Sequence, residues 1–207
     1  MSKELILKKR NVAVKKLIGS DAQMAGLVKL IGEFSINLRS DYFTALCRAI
    51  VGQQLSMKAA ETIWHRTVEL CGHMAPEVVL KLTDDELRGA GLSRAKVVYI
   101  KDLSSRVLSG ELNLDGIEGM FDDEVIAALT DVKGIGRWTA EMFLIFTLGR
   151  PDVWPVDDLG VRRAVQWVYG LAELPNKAEM TAYGLRWQPH RTAAALYLWE
   201  AINRKYC

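Results

Sequence analysis

The feature that most constrains this chain is its punctuation: capping residues, apolar runs of helical period and glycine stops recur along it. Asp41 precedes the apolar-periodic run YFTALCRAIVG. Ser56 is placed to cap MKAAETIWHRTVEL, which ends at Gly72. Thr83-Asp84-Asp85-Glu86 has the spacing of a capping box, in which hydroxyl and carboxylate each satisfy a free backbone N–H, and Gly91 is the matching stop. Ser93 opens RAKVVYIKDLSSRVL, closed by Gly110, and Asp122 or Asp123 opens EVIAAL. Trp138 to Leu148 forms a further helix, stopped by Gly149-Arg150-Pro151. Asp157 or Asp158 opens LGVRRAVQWVYG, and Asn176 with Glu179 makes another box-like start. The last helix starts near Pro189 or His190 and runs to about Asn203. Convincing period-two strands are missing, so the expected fold class is all-α, with about nine or ten helices.

Composition narrows the class without naming a function. The chain has 207 residues, of which 50% are hydrophobic and 25% charged, enough for a core in one domain or two small lobes. No apolar run approaches the roughly 18 residues that would read as a membrane span. The opening MSKELILKKRNVAVKK is polar and charged, without the apolar stretch of a signal peptide. Cys47, Cys71 and Cys207 are too few and too widely spaced for a disulfide framework or a zinc or iron–sulfur ligand set. They fit reduced thiols in a cytoplasmic protein, with Cys47 and Cys71 in the core. His65, His73 and His190 have no partner at ligand spacing, so no metal site is expected. A pI near 8.4 permits nucleic-acid binding without requiring it, and local motifs must decide.

Two segments carry chemistry. In the first, LTDVKGIGRWTA (129–140), a helix ends, a Gly134-Ile135-Gly136 hairpin follows and a new helix begins. Two glycines let the backbone turn tightly and present N–H groups at a helix start, where the dipole favours an anion. A DNA phosphate fits such a cradle without any base contact, and Lys133 and Arg137 flank it. The alternative is a plain connector with a glycine stop, but the apolar residue between the glycines and the following Thr139-Ala140 favour the phosphate reading.

The second segment is WPVDDLGVRR (154–163). One aspartate caps the next helix, whose inward face is Val161, Ala164, Val165 and Val168. Capping does not explain two aspartates. A carboxylate beside a helix N-terminus suits a group that must face a developing positive charge. The helix between the two segments, WTAEMFLIFTL, is apolar on nearly all sides and so expected to be central.

With these residues in view, the chain resembles the helix-hairpin-helix DNA glycosylase superfamily, in particular its 3-methyladenine DNA glycosylase II branch. The resemblance rests on VKGIGRWTAEMFLIF and RPDVWPVDDLGVRRAV, joined by DYFTALCRAIVGQQLSMKAA (41–60) and WQPHRTAAALYLWEA (187–201), in that order. It spans roughly residues 20–204. It implies two helical lobes around a DNA-binding cleft in a single domain over 1–207. The N- and C-terminal helices would form one lobe and the middle helices, about 60–150, the other. It also implies that a damaged nucleotide is flipped out of the duplex for chemistry.

The family register places the catalytic carboxylate at Asp158, with Val161 and Arg163 downstream, and leaves Asp157 as the helix cap. Trp138 stands where some relatives carry a Schiff-base lysine, so the expected enzyme is monofunctional and leaves an abasic site. Only Cys207 lies where others hold an iron–sulfur cluster. Trp138, Met142 and Trp199 are the expected pocket for a cationic base, the methionine replacing an aromatic. For both tryptophans the alternative is core packing. The DNA-binding set comprises Lys133, Gly134, Ile135, Gly136, Arg137 and Thr139 of the hairpin, with Gln54, Leu55 and Ser56. Gln54 or Leu55 would fill the gap left by the flipped base. Ser93, Arg94 or Lys96 could add a phosphate contact.

No cofactor is expected, although the hairpin carbonyls could hold a monovalent cation. The partner implied is double-stranded DNA with a damaged base, met by a monomer without a membrane. The compartment would be the cytoplasm, at the nucleoid in a bacterium, or the nucleus in a eukaryote. A non-enzymatic DNA-binding module with the same hairpin is the second reading, and another lesion specificity is the third. A small-molecule enzyme finds no phosphate loop, metal set or nucleophile triad here.

Overall fold

A computed structural model of the chain describes residues 3–207. In chain order these form β1 (Glu4–Leu7), α1 (Val12–Ser20), α2 (Ala22–Ile31), β2 (Phe34–Asn37), α3 (Tyr42–Gly52), α4 (Met57–Cys71) and α5 (Pro76–Lys81). There follow α6 (Asp84–Gly89), α7 (Arg94–Ser109), α8 (Asp122–Thr130), α9 (Arg137–Phe143), α10 (Leu159–Tyr169), α11 (Lys177–Leu185) and α12 (Arg191–Asn203). The fold is all-α in class, with 12 α-helices among the described residues. None of the described helices is long and apolar enough to cross a membrane.

The capping signals work as local chemistry demands. Ser56 Oγ accepts the Ala59 N–H, Ser93 Oγ the Lys96 N–H and Asp41 Oδ1 the Thr44 N–H, so each satisfies a donor that the helix start leaves open. Thr83 with Glu86 and Asn176 with Glu179 form reciprocal capping boxes.

Three helices exceed the sequence expectation. Asn11 and Asp21 cap α1 and α2, accepting the Ala13 N–H and the Gln23 and Met24 N–H groups. The six-residue α5 starts on Pro76, whose fixed φ suits a first helical turn. The expectation of no strands is also corrected. β1 and β2 pair antiparallel, with Leu5 opposite Ile36, and each is only four residues long, too short for alternation to stand out from loop sequence. The helix expected over 138–148 is α-helical only to Phe143 and continues as a π-helical turn, Leu144–Leu148.

The chain divides into two compact units: residues up to Leu38 together with Leu144–Cys207, and Arg39–Phe143. In the first, α12 is the core element. Every residue from Thr192 to Leu198 is buried, as a helix apolar on all sides must be, and α1, α2 and α10 pack on it. Tyr197 packs edge-on against Phe34 with ring centroids 5.1 Å apart, and its hydroxyl donates to Gly32 O. Trp187 is fully buried and meets the Trp154 ring edge-on at 4.9 Å. Gly184 lets α11 approach there, since a Cβ would lie 2.5 Å from Trp154 Cδ1.

In the second unit, α7 is the central helix, with α3, α5 and α6 against it. Val97, Ile100 and Leu103 of α7 and Leu46, Cys47 and Ile50 of α3 are each at most 1% exposed. Cys71 is also buried, whereas Cys207 is exposed.

Candidate functional site

In the first unit, the loop leading to Asp158 is fastened to the start of α12. The Arg191 guanidinium bonds both Asp152 carboxylate oxygens, Nε at 2.8 Å and Nη2 at 2.9 Å. Thr192 Oγ1 donates to Arg150 O at 2.6 Å and accepts the Val153 N–H at 3.0 Å. The Trp154 indole N–H donates to Met180 O at 2.7 Å. A tight turn then brings the Asp158 N–H to Pro155 O at 3.0 Å.

This turn settles the roles of the two aspartates as caps. Asp158, not Asp157, is the N-cap of α10, and its Oδ1 accepts the Val161 N–H at 2.7 Å. The expectation that Asp157 is the helix cap is therefore corrected. Asp157 is exposed and pairs with Lys177 at 2.9 Å. Either residue satisfies the capping preference by type, and the Pro155 turn sets the register one residue later than expected.

Asp158 is 8% exposed, and the Trp199 indole N–H donates to its Oδ1 at 3.2 Å. Phe146, from the π-helical turn, packs on Trp199 with centroids 5.4 Å apart. Gly160 leaves the room: a Cβ there would come within 3.1 Å of both Asp158 Oδ1 and Ile202 Cδ1. Trp199 is thus half-buried beside the carboxylate, and the sequence did not disclose its hydrogen bond across 41 residues.

In the second unit, the hairpin joins α8 to α9. Gly134 has φ +80°, and a Cβ there would lie 2.1 Å from Tyr99 Cδ2, so both backbone and neighbour require glycine. Gly136 faces open space, with nothing within 4 Å of a built Cβ. The protein itself has no steric need for glycine at 136, which is what close approach of an outside ligand would explain.

Of the expected phosphate donors, two N–H groups are used internally: Ile135 donates to Val132 O at 3.1 Å and Lys133 to Asp102 Oδ2 at 3.0 Å. The N–H groups of Gly136, Arg137 and Thr139 have no acceptor among the described residues, as expected at a helix start. Ile135 and Thr139 have buried side chains, so they can contribute only backbone to a ligand. Lys133 Nζ lies 3.5 Å from Asp102, and Arg137 Nε bonds Glu141 at 3.0 Å. Burial pushes the Asp102 carboxyl up, but the Lys133 N–H, the Arg106 hydrogen bond and the charges of Arg106 and Lys133 together hold it below its ordinary value.

Gln54 adopts φ +57°, uncommon for a residue with a Cβ, and is exposed; Leu55 is 37% exposed, and Ser56 caps α4. Gln53, Gln54, Lys96, Tyr99, Gly134 and Trp138 share an open concavity of about 460 Å³. Trp138 is 47% exposed, too open for the core-packing alternative, and Met142 is half-buried one turn on. Lys96 does not face outward as a phosphate contact would. Its Nζ donates to Val51 O and Gln53 O, both at 2.8 Å. Among the described residues no cluster of His, Cys, Asp and Glu could hold a metal ion.

Comparison with known proteins identifies the family. The family model described as "HhH-GPD superfamily base excision DNA repair protein" matches residues 47–189, and the chain belongs to that superfamily. Within it, the chain is similar to DNA-3-methyladenine glycosylase 1 of Schizosaccharomyces pombe, at 35% identity over 96% of this chain and 90% of the relative. Its fold matches the crystal structure of a DNA-3-methyladenine glycosidase from Bacillus halodurans with a TM-score of 0.88, 38% identity and coverage of 95% of this chain and 92% of that one. The Schizosaccharomyces pombe 3-methyladenine DNA glycosylase in complex with abasic DNA matches with a TM-score of 0.81 and 35% identity, over 92% and 96% of the two chains.

Proposed function

We propose that this chain is a monofunctional DNA N-glycosylase that flips out and excises alkylated purines, of the 3-methyladenine and 7-methylguanine type, from double-stranded DNA. The product is an abasic site in base excision repair, and the protein acts as a monomer. The observation that carries the reading is the carboxylate of Asp158, almost wholly withdrawn from solvent yet held by the Val161 N–H and the Trp199 indole N–H. A side chain that only capped α10 would have no need of the second donor.

The chemistry follows from the substrate. Alkylation at N3 or N7 places positive charge on the base and weakens its glycosidic bond, so strong acid catalysis is not required. What remains is to stabilise an oxocarbenium-like sugar and to direct a water, and one fixed carboxylate can serve both. Asp158 is assigned that role, and Trp199 orients it. Trp138 offers an exposed aromatic face for a cationic base, with Met142 as a softer neighbour on the same helix. An indole at 138 cannot form a Schiff base, which supports base release without strand cleavage. The names of the relatives support the alkylated-base specificity.

The hairpin would dock on a phosphate through Gly136, Arg137 and Thr139 backbone N–H groups, with Lys133 and Arg137 adding charge. Val132 O and Gly134 O each keep a second lone pair with which a monovalent cation could be held beside that phosphate. Gln54 or Leu55 would fill the vacated position in the duplex.

The test is to incubate wild type and Asp158→Asn with duplex carrying methylated purines and to measure free base and abasic sites. Release by wild type, lost in the variant while DNA binding persists, is expected. Equal release by both removes Asp158 from the chemistry. Binding without release by either replaces the enzyme reading with that of a DNA-binding module.

A further inference from the structure

One helix fastens both DNA-facing segments of the second unit. α7 carries Lys96, Tyr99 and Asp102 at three-residue intervals, which places them along one face. Lys96 Nζ holds Val51 O and Gln53 O at the end of α3. The Tyr99 ring covers Gly134, and Asp102 accepts the Lys133 N–H. The Gln53 side chain closes the circuit by donating its Nε2 to Gly134 O at 2.8 Å.

The Lys96 arrangement does more than close a helix end. Val51 is fully buried, so its carbonyl needs a partner from within the fold, but Gln53 is only half-buried and exposed Gln54 follows it, where water could serve. One half-buried ammonium takes both carbonyls, and burial lowers its pKa from the ordinary lysine value. Two charge-assisted donors fix where the loop leaves the helix, and Gln53 fixes it against the hairpin. The next residue, Gln54, is held in a left-handed conformation that an untethered glutamine would leave.

We infer that Lys96 and Gln53 are positioning residues that lock the Gln54–Leu55 loop in register with the hairpin, so that phosphate docking by the hairpin places the loop against the base stack and drives flipping. The inference rests on the glycosylase reading above, because it assigns the loop its work in that reaction.

Lys96→Met and Gln53→Leu, on different elements, test it separately. Each should bind undamaged duplex within about twofold of wild type, since the Gly136, Arg137 and Thr139 N–H groups of the hairpin are untouched, yet lose about tenfold or more in kcat on an alkylated base in a fully paired duplex. The loss should nearly vanish when the same lesion sits in an unpaired bulge, where the base is already unstacked. A 2-aminopurine beside the lesion, which brightens when its neighbour leaves the stack, should brighten less with either variant. Equal losses on paired and bulged substrates, or an unchanged fluorescence response, overturn the inference. If wild type releases no base, the glycosylase reading fails, and the fluorescence comparison still decides the positioning role. Affinity for undamaged duplex identifies a variant that has not folded, and the other variant then carries the test.

Discussion

Trp199 donates its indole N–H to Asp158 Oδ1 at 3.2 Å, the same oxygen that takes the Val161 N–H at 2.7 Å. The carboxylate is thereby fixed by one donor from its own helix and one from α12, and the two can be separated by mutation.

Asp158→Asn retains an acceptor for both donors and keeps a good capping residue. Its unfolding free energy should fall by less than about 1 kcal/mol, while base release falls by about 100-fold or more through loss of the charge. Asp158→Ala removes the cap and strands both donors, and should cost about 2–4 kcal/mol. Denaturant titration of the two variants beside the activity assay reads both effects. A stability loss as large in the asparagine variant as in the alanine one would mean that charge, not hydrogen bonding, holds this turn.

Trp199→Phe keeps an aromatic ring against Phe146 but has no N–H to give. A rate reduction of about tenfold is expected, with a stability change of about 1 kcal/mol. Gly160→Ala approaches the same geometry from the other side, because its Cβ would press on Asp158 Oδ1. It should lower the single-turnover rate more than it lowers affinity for DNA. A variant with full rate would show that the carboxylate tolerates displacement.

The two hairpin glycines should respond in opposite ways. Gly134→Ala meets the Tyr99 ring and an unfavourable φ, and is expected to destabilise the protein by about 3 kcal/mol or more. Gly136→Ala meets nothing, so its melting temperature should match wild type while its affinity for duplex DNA falls. Thermal melts and fluorescence anisotropy on labelled duplex distinguish the pair. Unchanged affinity in Gly136→Ala would remove the hairpin from phosphate docking.

Asp102 ties hairpin stability to pH. Its folded pKa is depressed, so its contribution is fully present above the unfolded carboxylate value, about 4, and is lost as pH falls through the lower folded value. Asp102→Asn should therefore melt below wild type at neutral pH, and the difference should shrink as the pH is taken below about 4. A difference independent of pH would assign the contribution of Asp102 to packing.

Much of the helical framework was legible because a cap acts over three residues. Ser56, Ser93, Thr83 and Asn176 each bond a donor within their own first turn, and sequence records such neighbours directly. Asn11 and Asp21 carried the same signal for α1 and α2, but the two helices follow each other across the single residue Asp21, so no connector marks them off. Asp157 and Asp158 could not be told apart by capping preference, since the deciding contacts are the Pro155 turn and Lys177. Asp102 and Lys96 were beyond reach for a different reason. Their partners lie 31 and more than 40 residues away, and nothing in a helical period says which main-chain groups a side chain will meet.

The unit that holds Asp158 is discontinuous, made from the first elements of the chain and the last, whereas Arg39–Phe143 is one continuous stretch. Synthesis runs in one direction, so the continuous unit can close while the ribosome is still making the remainder. β1, α1 and α2 must wait for α12, the helix on which α1 and α2 pack. Nascent chains released before α12 is made would carry a finished hairpin but lack the Trp199 that holds the Asp158 carboxylate.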